Sequence, residues 1–355
     1  MTAEIASHPD VRPAARRPGW PVALWLALLT AMVAAMVLVG GLTRLTDSGL
    51  SITEWAPVTG AVPPLSDAAW QSEFEKYQQI PEYQFQNAGM SLGQFKQIYW
   101  WEWSHRFLGR TLGVVFLIPF LVFLVQRRIS RPLAWRLGGL FVLGGIQGAI
   151  GWWMVASGLS DRLDVSQYRL AVHLGMAFLI LALLFWTTLD VWPDNRPSEA
   201  APGVGAAAGV LAAAVFVQIL LGAFVAGLDA WLIHNTWPLM DGGLAPHIEA
   251  MRPAMVFEDR SVVQFNHRMG GYAVVAAATA LAVGAWRMTG GAARRRLGLT
   301  LGLAWVQVVL GIATLLTVGD IHAGATHQAG AVALFLSALS LAHVALAHAA
   351  RVTRP

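Results

Sequence analysis

WPVALWLALLTAMVAAMVLVGGLT, residues 20–43, carries no charged side chain from end to end. An uncharged apolar run of at least about 18 residues, wound at ~1.5 Å per residue, is long enough to cross a bilayer core as a helix. Seven more runs follow by the same criterion: Phe107 to Val125, Leu137 to Ser160, Leu170 to Leu189, Ala200 to Leu228, Met269 to Trp286, Leu297 to Gly319 and Ile321 to Ala350. Arg110, near the start of the second, is the one charge that interrupts that run. The spacing predicts an all-α polytopic membrane protein with eight spans and both termini on one side. Composition agrees, since 56% of the 355 residues are hydrophobic and only 12% are charged, too few to coat a soluble enzyme. The same arithmetic excludes disorder and collagen. With no cysteine, thiolate metal sites, iron–sulfur clusters, thiol catalysis and disulfides are excluded too.

Basic residues orient the spans, because short cytoplasmic loops accumulate Lys and Arg. With the N-terminus inside, the inner segments hold Arg12, Arg16, Arg17, Arg127, Arg128, Arg131, Arg136, Arg196, Arg287, Arg294, Arg295, Arg296, Arg351 and Arg354. One short outer loop has Arg162 and Arg169; the other has none. Both termini are therefore expected in the cytoplasm, and the net charge of +4 is an inner fringe rather than a nucleic-acid surface. The basic tail, residues 1–19, precedes a first span with no cleavage pattern, so that span is expected to be retained.

The sequence repeats. Glu102-Trp-Ser-His105-Arg106 before the second span matches Gln264-Phe-Asn-His267-Arg268 before the sixth. Gln147-x-x-x-Gly151 matches Gln307-x-x-x-Gly311, and His173 matches His327. Four spans in each repeat make it parallel, and predict two pseudo-symmetric four-helix bundles over residues 20–195 and 196–355. A long outer loop, 44–106, belongs to the first half; it is rich in aromatics, has a helical stretch from Ser66 to Gln79, and ends in Tyr99-Trp-Trp-Glu-Trp103, which could roof a site.

Four of the ten histidines occupy repeat-matched places. His105 and His267 are expected at the mouths of spans two and six, His173 and His327 a turn or two into spans four and eight, all within roughly 10 Å of the outer boundary. A lone histidine at a helix end is ordinarily an interfacial hydrogen-bonding residue. Four at one depth, two in each half, instead suit axial ligation of haem, which needs two imidazoles facing across a macrocycle. Arg106 and Arg268 follow the mouth histidines and could pair haem propionates, or serve as topology and headgroup arginines. Gln147 and Gln307 are expected to make interhelical packing bonds. His234, His247 and His322 fall in outer loops, His343 and His348 at the inner end of the last span and His8 in the tail, without a role assigned.

The halves differ three residues before the mouth histidine, with Glu102 in one and Gln264 in the other. Residues at i and i+3 share a helix face, so each would point at its own pocket. Only the carboxylate can take a proton, activate water or stabilise a developing cation. The first pocket thus suits acid–base chemistry and the second electron transfer, unless Glu102 is simply paired with Arg106 or Arg110.

These residues resemble the haem A synthase family, in its mitochondrial-type and proteobacterial branch. The resemblance runs through Gly41-Leu-Thr-Arg-Leu-Thr-Asp-Ser-Gly-Leu-Ser51, Trp55-x-Pro57, Glu73-Phe74, Pro81-Glu-Tyr83, Phe95-Lys96, Glu102-x-x-His105-Arg106 and Gly109-Arg110. It continues through Gln147-Gly148, Val155-Ala-Ser-Gly158, Asn235-Thr-Trp-Pro238, Phe265-Asn-His-Arg268 and Thr326-His-Gln328. It implies an enzyme of a bacterial inner membrane that oxidises one ring methyl of haem O to the formyl of haem A in two hydroxylation-type steps, serving cytochrome oxidase biogenesis. It further implies a haem b cofactor with His267 and His327 as axial iron ligands, Arg268 beside it, and the substrate haem near His105, His173 and Arg106 with Glu102 at the reacting methyl. One branch of the family carries an outer-loop cysteine pair that is absent here. The resemblance also implies transient contact with haem O synthase, an electron acceptor that the sequence does not identify, and contact with membrane lipid; exposed Gly and Ala faces allow a homo-oligomer. Two other classes compete: a two-haem b-type electron-transfer cytochrome, and a transporter, which would place ionisable residues at mid-membrane.

Overall fold

The computed structural model describes residues 19–160, 162–193, 199–246 and 252–352, with side chains to residue 347. The expectations for the tail at 1–18 and for His8, Arg196, His247 and His348 lie outside these described residues.

Eight described helices are long and apolar enough to span a membrane. They are α1 (Trp20–Leu45), α4 (Leu92–Val125), α5 (Arg131–Val155), α6 (Gln167–Val191), α7 (Val204–Gly227), α8 (Arg260–Ala285), α9 (Gly291–Leu316) and α10 (Ile321–Val352). Two short outer helices, α2 (Asp67–Tyr77) and α3 (Pro81–Phe85), stand between the first two spans. Helix α2 is the stretch expected from Ser66, whose hydroxyl accepts the Ala69 N–H at 3.2 Å as an N-cap.

The apolar-run criterion places four helix starts too late, α5 and α9 by a turn or two and α4 and α8 by more. Helix α4 begins at Leu92, well before Phe107, because Ser91 and Gln94 form a capping box there and nothing between them and the bilayer breaks the helix. Helix α8 begins at Arg260, where the Asp259 carboxylate accepts the Ser261 and Val262 N–H groups. His105 and His267 therefore lie inside helices rather than at their mouths, and Tyr99 to Trp103 form part of α4. Tyr99 there packs edge-on to Trp70, and Trp103 stacks on Phe107 with ring centres 4.7 Å apart.

Helix α1 packs on α4 and α6, and α5 on both; α7 to α10 pack in the same cycle. The halves meet through α6 on α7 and α1 on α10, leaving α4, α5, α8 and α9 with their apolar faces turned outward. Polar bonds cross this seam where lipid offers no alternative. Arg44 donates to the Ala226 carbonyl at 3.2 Å and pairs with Asp229 at 2.7 Å; Gln328 donates to the Val37 carbonyl at 2.8 Å. At the opposite end of the bundle His343, buried on α10, bonds Asp190 of α6 at 2.8 Å, and Arg136 of α5 pairs with the same carboxylate.

The outer loop of the first half has its own small core of Leu50, Ile52, Trp70, Phe74, Tyr77, Ile80, Phe95 and Tyr99. Within it Glu82 accepts the Tyr77 hydroxyl at 2.8 Å. Burial pushes the Glu82 carboxyl up to about 8.

Candidate functional site

Each of the four repeat-matched histidines packs against a glycine of the preceding span. A Cβ on Gly40, Gly151, Gly222 or Gly311 would stand 2.9, 2.8, 3.1 or 3.0 Å from Cε1 of His105, His173, His267 or His327 respectively. No side chain other than hydrogen fits there without moving the ring, which is the physical reason for glycine at all four places. The fold is thus four antiparallel helix pairs, each bringing one imidazole onto one glycine.

The glutamines do more than pack helices together. The Gln147 carboxamide nitrogen lies 3.1 Å from His173 Nδ1 and 3.0 Å from the carbonyl oxygen of the same residue. Gln307 repeats this on His327 at 3.1 and 2.9 Å. Gln218, which the half-to-half comparison did not single out, does the same to His267 at 3.0 and 2.8 Å. Its signal is the spacing Gln218-x-x-x-Gly222, the same as in the other two. A single amide bridging the ring and backbone of one residue fixes both side-chain torsions. In all four histidines Nε2 makes no hydrogen bond among the described residues.

His267 and His327 face each other with ring centres 6.3 Å apart and planes at 85°. A ligating imidazole nitrogen sits ~2 Å from its metal and ~1 Å from its own ring centre, so two rings on opposite sides of one ion have centres about 6 Å apart. At this separation His267 and His327 would hold a single metal ion, such as a haem iron, between them. Among the described residues no such ring contact joins His105 and His173.

Glu102 is buried, 3% exposed, and both its oxygens are engaged. Oε2 accepts from Ser51 Oγ and from the Ile52 N–H, each at 2.8 Å, and Oε1 pairs with Arg106 at 2.6 Å. Arg106 also donates to the carbonyls of Ile52 and Glu54, and Arg110 to those of Ala56 and Pro57. Gln264, equally buried, has the opposite polarity: its amide donates to the Ala230 and His234 carbonyls at 3.0 and 3.3 Å. Arg268 donates to the His234 and Thr236 carbonyls. The acid and the amide at this repeat position therefore anchor their outer loops through donors in one half and acceptors in the other. Arg106 and Arg268 are committed to the same loops, so a propionate would have to share them; Arg110 Nη1 and Arg268 Nε are buried without a partner. Of the loop histidines, His234 bridges Asp241 at 2.5 Å and Ser261 at 2.9 Å, tying the second outer loop to α8.

Residues 23–339 match a family profile described as cytochrome oxidase assembly protein, COX15-CtaA. The chain is 51% identical over 328 residues to heme A synthase of Maricaulis maris, covering 91% of this chain and 96% of that protein. It is 51% identical over 317 residues to heme A synthase of Parvibaculum lavamentivorans, at 88% and 91% coverage, and 52% identical over 320 residues to that of Rhodospirillum centenum, at 88% and 85%. With a polytopic all-α fold and a profile that runs through all eight spans, the chain belongs to the COX15-CtaA family of cytochrome oxidase assembly proteins.

Proposed function

We propose that this chain is a haem A synthase with a division of labour between its halves: the C-terminal half, 196–355, holds a haem b cofactor, and the N-terminal half, 20–195, takes haem O. The observation that carries the assignment is the His267–His327 pair, crossed at 85° with centres 6.3 Å apart and both Nε2 atoms unbonded. Haem b, when bound there, supplies one-electron redox chemistry. Each of the two steps on the substrate removes two electrons from the ring methyl carbon and adds one oxygen; the second gives a hydrate that loses water to leave the formyl group.

The chain's own residues do the rest. His173, clipped by Gln147, and His105 hold the substrate iron from two sides. Glu102 lies three residues from His105 and sets its ion pair with Arg106 beside the substrate. Of its three donors the Ser51 hydroxyl is the one that can rotate away, towards the Ile98 carbonyl 3.4 Å off, which frees Oε2 to receive a proton from the reacting centre. Gln264 offers no such proton acceptor: its amide NH2 donates to two carbonyls and its Oε1 accepts from Arg268 at 3.4 Å. The guanidinium hydrogens on Arg110 Nη1 and Arg268 Nε are the ones with capacity for a propionate. The arginine fringe of Arg127, Arg128, Arg131, Arg136 and Arg294 to Arg296 supports both termini on the cytoplasmic side of a bacterial inner membrane. A transient contact with the enzyme that supplies haem O, and self-association through small-residue faces, follow from the chemistry of the substrate and the composition of the spans.

The test is chromatography of haems extracted from membranes that also make haem O. Wild type should yield haem A and haem b. Glu102→Ala should stop at haem O or the hydroxymethyl form with haem b retained, and His267→Ala should lose haem b. If every sample yields haem b alone, the chain is an electron-transfer cytochrome and the proposal fails.

A further inference from the structure

Three of the four imidazoles are clipped by a carboxamide four residues before the glycine they face, and the fourth is not. In the fourth place, four residues before Gly40, stands Met36. The correspondence is spatial as well as sequential. Met36 Cε would lie 3.2 Å from a Cβ on Gly109, four residues after His105, while Gln218 Nε2 would lie 3.6 Å from a Cβ on Gly271, four residues after His267. A thioether donates no hydrogen bond, and it is at best a weak acceptor. His105 Nδ1 is accordingly buried without a partner, the one ring nitrogen of the four in that state.

We infer that Gln147, Gln218 and Gln307 lock three haem-facing imidazoles, and that Met36, in the fourth equivalent place, leaves His105 the ligand that yields, so that the N-terminal pocket exchanges its haem on the His105 side. The inference rests on the functional reading above. A ligand imidazole works best with its second nitrogen in a hydrogen bond, which fixes tautomer and ring plane and raises basicity. In the three clipped residues the amide holds the Nδ1 edge and the carbonyl of one residue together. With Nε2 free, Nδ1 can accept from that amide; once Nε2 is ligated Nδ1 carries the proton, and a half-turn of the amide offers it the buried, otherwise idle Oε1 in exchange for the NH2 contact to the backbone carbonyl. His105 has neither arrangement: its ring packs on Gly40, and no hydrogen bond at Nδ1 holds χ2, a soft torsion. Both C-terminal ligands are clipped, as suits a cofactor that stays. The N-terminal pair has one fixed and one yielding member, as suits a substrate that enters and a product that leaves.

Carbon monoxide reports which haem gives up a ligand. The full chain is purified with both haems, reduced and exposed to carbon monoxide, and the two haems are followed by their separate absorption bands. His267→Ala is measured first; haem b content that does not fall in that variant overturns the site assignment beneath the inference. With the assignment standing, wild type should bind carbon monoxide at the N-terminal haem and leave haem b six-coordinate. Met36→Gln, nearly isosteric and able to make the fourth clip, should weaken that binding about two- to tenfold, the weight of one net hydrogen bond. Met36→Leu should behave as wild type, which separates the clip from packing. Gln218→Met, which copies the N-terminal arrangement into the other half, should make haem b reactive. Equal carbon monoxide binding in wild type and Met36→Gln, or wild-type binding at haem b in preference, overturns the inference.

Discussion

Replacing Glu102 by Gln removes one oxygen's worth of acceptor from a group whose two oxygens receive three donors. If the amide oxygen keeps Ser51 and the Ile52 N–H, the new NH2 group faces Arg106 across what was a 2.6 Å ion pair. If it turns the other way, Ser51 can rotate to accept, but the Ile52 N–H loses its acceptor. Hydrogen bonds to a charged group contribute about 1.5–3 kcal/mol, and breaking a buried pair costs more. Arg106 keeps the Ile52 and Glu54 carbonyls and is 17% exposed, which places the loss near the lower end, about 2–3 kcal/mol. That free energy holds residues 48–54 onto α4, so it appears as local opening rather than global unfolding. Hydrogen exchange in this segment should accelerate by about 30- to 160-fold in Glu102→Gln. Gln264→Glu is the mirror experiment, since it sets a carboxylate oxygen 3.0 Å from the Ala230 carbonyl and should loosen residues 230–236. If Glu102→Gln abolishes haem A formation while exchange in 48–54 stays within about threefold of wild type, the carboxylate does not anchor the loop and the reasoning from its three bonds is wrong.

Three further outcomes follow from the geometry. Gly222→Ala and Gly311→Ala each force a methyl to within 3.1 and 3.0 Å of a cofactor-facing imidazole, so purified protein should carry substoichiometric haem b by its absorption spectrum; full occupancy in both would mean the rings have slack. Glu82 has its carboxyl raised to about 8 by burial, above its ordinary value of 4.5, so the folded outer loop of the first half binds more protons than the unfolded one between those pH values. That outer loop should therefore lose stability as pH rises from ~4.5 to ~8, measured by protease cleavage within residues 66–90, and Glu82→Gln should flatten the profile. Arg44→Ala removes the partner of Asp229 and Asp164 at the seam between halves and, both carboxylates being partly exposed, should cost about 1–3 kcal/mol, read as a lowered melting temperature in detergent; an unchanged melting point would show that the seam does not depend on this cluster.

The eight spans were legible because the bilayer demands long uncharged runs, and few other structures produce them. The starts of α4 and α8 were not, because a run that stops at Glu102, His105 and Arg106 marks where polar function begins rather than where the helix ends. Those helices are begun by Ser91 and Asp259, local caps that hydropathy ignores. The four histidines could be found from the repeat alone. Gln147 and Gln307 were visible as interhelical donors, but that their acceptor is the histidine of the next span requires the helix pairing. Gln218 escaped because its counterpart in the other half is Met36, and a comparison that seeks likeness passes over a position where the halves differ. The polarity of Glu102 and Gln264 showed in sequence as acid against amide; that each matches the polarity of its own outer loop did not, since Ser51, Ile52, Ala230 and His234 reach them by tertiary folding.

The most direct test of the central claim is the electron paramagnetic resonance spectrum of the oxidised, purified protein. Imidazole planes crossed at 85° leave the iron d-orbitals nearly degenerate, so the C-terminal haem should give a strongly anisotropic low-spin ferric signal, lost together with haem b in His267→Ala and in His327→Ala. A rhombic signal typical of parallel planes, or an anisotropic signal that survives both substitutions, would contradict the assignment of this pair as the cofactor's axial ligands.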